Sequence, residues 1–79
     1  MQKEEWRIQY GWGELLQTAR AKAGLSQNKL ASELEVTKAC ISNWEHERKT
    51  PSTRQLHSLF TALRMTSEER EWFLARVRK

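Results

Sequence analysis

The chain has 79 residues, of which 38% are hydrophobic; this is enough for one small core and too little for a second. Fourteen Lys and Arg against ten acidic residues give a formal net charge of +4, which favours polyanionic partners such as nucleic acid. The single cysteine, Cys40, excludes a disulfide framework and a cysteine zinc site, and no apolar run is long enough to span a membrane. Composition therefore predicts a small cytoplasmic domain.

The N-terminal residues carry aromatic side chains in an ambiguous pattern. Trp6, Ile8 and Tyr10 alternate with polar residues as in a strand, yet Trp6 and Tyr10 are also four apart, as on a helix face. The segment does not resemble a secretory signal, because it contains two glutamates and no apolar block. We predict that residues 1–11 form an aromatic arm that docks on the domain or on a second subunit, and that the domain spans residues 12–79.

Helical spacing begins at Gly13, and Gly24 is suited to end this first helix because glycine adopts the left-handed cap without steric cost. The apolar stripe of the helix consists of Leu15, Leu16, Ala19 and Ala23. Ser26 is placed to cap a second helix, and Thr37 a third.

Two capping boxes predict the last two helices. Ser52 and Gln55 form the first box, and Thr66 and Glu69 form the second. Apolar residues follow each box at helical spacing: Leu56, Leu59, Phe60 and Leu63, then Trp72, Phe73, Leu74 and Val77. We therefore predict an all-α fold of five helices.

Residues 26–45 predict two short helices joined by a tight turn. Small Ala31 at the centre of the first allows the second to cross it closely, which is typical of a helix-turn-helix. The second helix of such a pair enters the major groove of DNA and contacts base edges with its N-terminal side chains. The predicted recognition helix is 37–46.

The stretch GLSQNKLASELEVTKACISNWEHERKTPS resembles the lambda repressor/Cro-type helix-turn-helix family, also called the xenobiotic-response-element type. The resemblance covers roughly residues 13–65. The residues that carry it, in order and spacing, are Leu25-Ser26-Gln27, Leu30-Ala31, Val36-Thr37, Ile41-Ser42, Trp44-Glu45 and Pro51-Ser52, followed by Leu56, Leu59 and Leu63. It implies a compact lambda-repressor-like domain that binds double-stranded DNA.

The resemblance places Lys38, Ala39 and Asn43 at base-reading positions, with Ser42 at their border. The chemistry fits, because Lys donates to guanine O6 and N7, Asn pairs two-fold with adenine, and the Ala methyl meets the thymine methyl. The alternative for Lys38 and Asn43 is a plain solvated side chain.

Five further residues match positions that contact phosphates in the family: Gln27, Thr37, Arg48, Lys49 and Thr50. Such contacts supply affinity without sequence information. For Gln27 the alternative is an exposed polar residue of a helix.

The chain departs from the family pattern at Glu35 and Glu47, where glycine is usual. A non-glycine residue in a left-handed turn, as Glu35 would be, costs about 1–2 kcal/mol. Glu47 would also bring an acid close to phosphates. Glu45 matches a family glutamate that makes an internal ion pair or hydrogen bond, and Arg20 is its candidate partner.

No catalytic or metal-binding pattern is present. The chain has no Asp and no HExxH, and His46 and His57 are eleven residues apart with no further ligand at suitable spacing. We therefore predict neither an enzyme nor a metal or cofactor. Cys40 is predicted to be a packed or DNA-facing small residue, rather than a redox switch.

Trp6, Trp72 and Leu74 have no obvious place in so small a core. We predict an exposed apolar pair at Trp72 and Leu74 that serves a homodimer interface, with packing against the N-terminal arm as the alternative.

These observations together predict a sequence-specific double-stranded DNA-binding regulator of transcription, in the form of a repressor. Two alternatives remain. One is an antitoxin or controller protein that binds DNA together with a second protein partner. The other is a protein-interaction module without DNA binding, which the two glutamates in place of glycines would favour.

Overall fold

The computed structural model describes residues 11–77, which form five α-helices and no strand. The helices are α1 (Trp12–Lys22), α2 (Gln27–Leu34), α3 (Lys38–Glu45), α4 (Thr53–Ala62) and α5 (Ser67–Val77). This confirms the predicted all-α class. The predicted arm lies outside the described residues except for Gly11, so its docking and the role of Trp6 stay predictions.

The helix boundaries follow the capping residues in the sequence. Gly24 is left-handed with φ 75°, and the Leu25 N–H donates to the Arg20 carbonyl at 3.1 Å, which closes α1. Ser26 and Thr37 cap α2 and α3 as predicted, each accepting from a backbone N–H three residues on. Both bonds of each predicted capping box are present at the starts of α4 and α5.

Three non-glycine residues take the left-handed conformation: Glu35 at φ 59°, Glu47 at φ 58° and Arg64 at φ 53°. Glu35 lies where the sequence predicted strain, and Glu47 lies where the family pattern has glycine. Arg64 was missed, although it ends α4 as Gly24 ends α1, with the Met65 N–H donating to the Phe60 carbonyl at 3.1 Å.

The core lies among all five helices and joins α5 to the rest through aromatic rings. Phe73 is fully buried, with Trp12 and Phe60 packed edge-on against it at centroid distances of 5.7 and 5.8 Å. Trp12 thus links the start of α1 to α5. Helices α1, α2 and α3 contribute, among others, the buried residues Leu15, Leu16, Leu30, Ala31, Ile41 and Trp44.

The expected exposed pair on α5 needs correction. Trp72 and Leu74 are both half-buried and pack against the core. The Arg76 guanidinium also lies 4.7 Å from the centre of the Trp72 ring. A helix on a small domain buries residues on its flanks as well as on its central face, so both side chains find partial cover.

Within residues 11–77, every helix is too short or too polar to cross a bilayer.

Candidate nucleic-acid interface

Helices α2 and α3 form the predicted helix-turn-helix pair. Three residues, 35–37, separate them. The turn is closed by the Val36 N–H, which donates to the Ala31 carbonyl at 2.9 Å, and Ala31 itself is buried. The predicted recognition helix 37–46 corresponds to α3 together with its two caps, Thr37 and His46.

One side of α3 is buried and the other is open. Ile41 and Trp44 are almost fully buried, which fixes that side against the core. The four residues predicted to read bases lie on the remaining surface, hereafter the α3 surface: Lys38, Ala39, Ser42 and Asn43. Lys38 and Ala39 are exposed, and Ser42 and Asn43 are half-buried. The structure therefore brings the four together on one accessible side of the helix.

The loop after α3 is basic and accessible. Arg48, Lys49 and Thr50, which match phosphate-contacting positions, are all exposed. The Arg48 guanidinium donates to the Asn43 side-chain oxygen at 3.2 Å, and the Arg48 N–H donates to the Asn43 carbonyl at 2.8 Å. The sequence did not predict this contact between the loop and the α3 surface.

A buried carboxylate ties α1, α2 and α3 together. Glu45 is 5% exposed, and its Oε2 accepts from Arg20 Nε at 2.6 Å. The predicted pair of Arg20 with Glu45 is therefore confirmed. The Arg20 guanidinium also donates to the Leu25 carbonyl at 2.9 Å, in the turn before α2. Each polar group of the pair thus has partners, which a buried charge requires.

Gln27 belongs to this buried network, which the sequence did not predict. Its Nε2 donates to Glu45 Oε1 at 2.8 Å, and its side chain is half-buried. An amide keeps a second N–H and a carbonyl oxygen for other partners. A phosphate contact at the start of α2 is compatible with this geometry, and the bond to Glu45 would hold the amide in position for it.

Glu47 caps the start of α1 from 34 residues away. Its Oε2 accepts from the Gly13 N–H at 2.9 Å, while the N-cap residue Gly11 supplies no side-chain cap. A carboxylate at a helix N-terminus also interacts favourably with the helix dipole. The sequence signal for such a cap was indirect: α1 begins at Gly-Trp-Gly, without a capping Ser, Thr, Asp or Asn.

The close approach of α1 to the end of α3 depends on Gly13. A Cβ at this position would lie 2.3 Å from the Glu45 carbonyl oxygen, which no real contact allows. Gly13 is therefore required for contact between helices, rather than for backbone freedom.

Cys40 is half-buried on α3. Burial raises the pKa of its thiol above the ordinary value, and nearby Lys49 opposes that rise. A raised pKa leaves little reactive thiolate at neutral pH, which favours the predicted role as a packed or DNA-facing small residue over a redox switch. Among residues 11–77, no three His, Cys, Asp or Glu side chains are grouped so that they could hold a metal ion.

The comparison with protein families agrees with this geometry. Residues 13–73 match the model of the helix-turn-helix domain family, so the chain belongs to that family. The match begins with Gly13 and includes the buried network, the α3 surface and α5 as far as Phe73. No curated protein and no solved structure matches the chain. Membership of this family indicates a DNA-binding regulator.

Proposed function

We propose that the protein is a Cro/C1-type transcriptional repressor that binds double-stranded DNA sequence-specifically as a homodimer. Helix α3 enters the major groove and reads base edges with Lys38, Ala39 and Asn43, assisted by Ser42. The phosphate contacts come from the start of α2, the cap of α3 and the basic loop, through Gln27, Thr37, Arg48, Lys49 and Thr50.

The observation that carries this proposal is the contrast between the two sides of α3. Ile41 and Trp44 are 0% and 2% exposed, whereas Lys38 and Ala39 at the start of the helix are exposed. A recognition helix needs this arrangement, because its N-terminal residues meet the bases while its other side packs on the domain. The exposed Arg48 and Lys49 lie one loop away, where they can meet the DNA backbone.

The alternative of an interaction module without DNA binding draws less support from the structure than from the sequence. Glu35 and Glu47 replace glycines, yet both adopt the left-handed conformation of a glycine. Glu47 also makes a bond of its own to Gly13. The two substitutions therefore leave the helix pair in place.

A selection from random duplex DNA tests the proposal. The purified protein is incubated with the pool at about 150 mM salt, where non-specific binding is already weakened, and bound DNA is sequenced. We expect an enriched inverted repeat with half-sites about one helical turn apart, as a two-fold dimer requires. A single enriched half-site would support base reading but contradict binding as a two-fold dimer. No enrichment by folded protein would refute the proposal in favour of a protein-partner function.

The variant Asn43→Ala tests the assignment of the α3 surface. We expect it to cost about 1–3 kcal/mol of binding free energy and to relax the preference at one base pair. The side chain is half-buried at the surface, so the thermal midpoint of the free protein should stay close to that of the wild type. Unchanged preference at every base pair would contradict the assignment.

A further inference from the structure

Arg48 and Asn43 are joined by two hydrogen bonds. The first is between backbone groups, at 2.8 Å, and the second is between side chains, from Arg48 Nη1 to Asn43 Oδ1 at 3.2 Å. The backbone bond forms because Glu47, at φ 58°, turns the chain back towards the last turn of α3. Arg48 is therefore held beside a predicted base-reading side chain.

The chemistry of the pair fixes which way the Asn43 amide faces. A guanidinium has five N–H donors and no acceptor, so it can bond only to the oxygen of an amide. The Asn43 oxygen must then face Arg48, and the amide NH₂ lies on the other side of the side-chain carbon. The bond occupies one of the two lone pairs of the oxygen and places the guanidinium charge beside it, while the N–H donors of Asn43 remain available for a base.

We propose that Arg48 is a positioning residue that sets the base preference of Asn43 and makes it read guanine instead of adenine. This inference rests on the proposed function. The two-fold contact of Asn with adenine needs the amide oxygen to accept also from the adenine N6 amino group, and the Arg48 guanidinium beside that oxygen repels the partial positive charge of this second donor. Guanine offers only the acceptors N7 and O6 on its major-groove edge, which suit the free N–H donors and the neighbouring positive charge.

The neighbouring Lys49 provides a matched control. It is exposed in the same loop, carries the same charge and was assigned to phosphate contact alone. Loss of Lys49 should weaken binding to all sequences alike, whereas loss of Arg48 should change which base is preferred. The two roles can therefore be separated by measuring preference and affinity in the same variants.

The test compares selections from random duplex DNA with four proteins: the wild type, Asn43→Ala, Arg48→Met and Lys49→Met. The base pair read by Asn43 is the one at which Asn43→Ala loses its preference. We expect the wild type to enrich guanine there. Arg48→Met removes the charge and the hydrogen bond from the amide oxygen and should raise the ratio of adenine to guanine by about tenfold, as one charge-assisted hydrogen bond allows. Lys49→Met should keep guanine.

Arg48→Lys, which restores a donor near the amide, should return the preference to guanine, a result that a general structural role of Arg48 would not give. The thermal midpoint of each variant is measured beside the selection. Guanine retained in Arg48→Met, or adenine preferred by the wild type, would overturn the inference while leaving DNA reading intact. No enriched sequence with wild-type protein would instead overturn the proposed function, and the inference with it.

Discussion

The two ends of α3 are held in different ways. At the C-terminal end, the Glu45 side chain is buried against Arg20 and Gln27, and Glu47 bonds to Gly13 at the start of α1. At the N-terminal end, the Thr37 hydroxyl accepts from the Cys40 N–H of the same helix. The exposed Lys38 follows Thr37 directly in the chain. One end is thus fixed by contacts from distant parts of the chain, and the other relies on a local cap.

This difference shows how a domain with a small core can present a reading helix. The direction of α3 is set from its far end, by bonds to α1 and α2 that span 18 to 34 residues of the chain. The end that meets the bases in a helix-turn-helix can then remain open. Gln27 and Glu47 take part in both properties, but otherwise stability and base reading depend on different residues, and variants at the two ends should separate the two properties.

Removal of the Arg20 side-chain charge should cause the largest loss of stability. Arg20→Met leaves the Glu45 carboxylate buried without its cation, and we expect a loss of about 3–5 kcal/mol in the free energy of unfolding. Urea denaturation of the variant checks this. Lys22→Met, at an exposed position two residues on in α1, should stay within about 0.5 kcal/mol of the wild type. Equal costs for the two variants would show that the buried pair does not hold the fixed end.

Gly13→Ala should cause the second-largest loss of stability. The new Cβ would overlap the Glu45 carbonyl oxygen, so α1 and the end of α3 must move apart. Overpacking of this kind typically costs about 1–3 kcal/mol. The thermal midpoint of unfolding should fall accordingly, while Gln17→Ala, at an exposed site of α1, leaves it nearly unchanged. An unchanged thermal midpoint for Gly13→Ala would show that the close approach of α1 to the end of α3 does not contribute to stability.

Lys49→Ala addresses the basic loop. We expect weaker binding to all DNA sequences alike and a salt dependence of log affinity that is flatter by about one unit, because one phosphate contact is lost. Affinities for a selected and a scrambled duplex are measured across a salt series. A change in the preferred sequence would contradict the assignment of Lys49 to the phosphates.

Glu47→Gln should produce the smallest changes, a slight loss of stability and a slight gain in DNA affinity. Gln keeps an acceptor for the Gly13 N–H but loses the negative charge at the start of α1, which should cost about 0.3–1 kcal/mol of stability. Loss of an acid near the phosphates should tighten DNA binding by about two- to fivefold at low salt. Glu33→Gln, an exposed acid on α2, serves as the control. Equal or weaker affinity of Glu47→Gln at matched salt would refute the electrostatic argument.

The sequence predicted what depends on local patterns. The caps at Ser26, Thr37 and Ser52 are set by a few neighbouring residues, and all three are present. The pair of Arg20 and Glu45 was found because it accompanies the family pattern.

Contacts that depend on tertiary geometry were missed. The bond from Gln27 to Glu45 crosses 18 residues and that from Gly13 to Glu47 crosses 34, and neither has a spacing rule in sequence. The partial burial of Trp72 depends likewise on how α5 packs against the core. In the candidate site, the positions of the α3 surface were predictable, but the contact of Asn43 with Arg48 was not, because it depends on the turn at Glu47.

The most direct test of the account is the mapping of amide chemical shifts as the labelled protein is titrated with a selected duplex of about two helical turns. We predict that the largest changes lie at Thr37, Lys38, Ala39 and Asn43, with smaller ones in the basic loop. Changes concentrated instead on α5, or along the groove between α2 and α4 beside Leu34 and Ala62, would contradict the claim that the α3 surface meets the DNA.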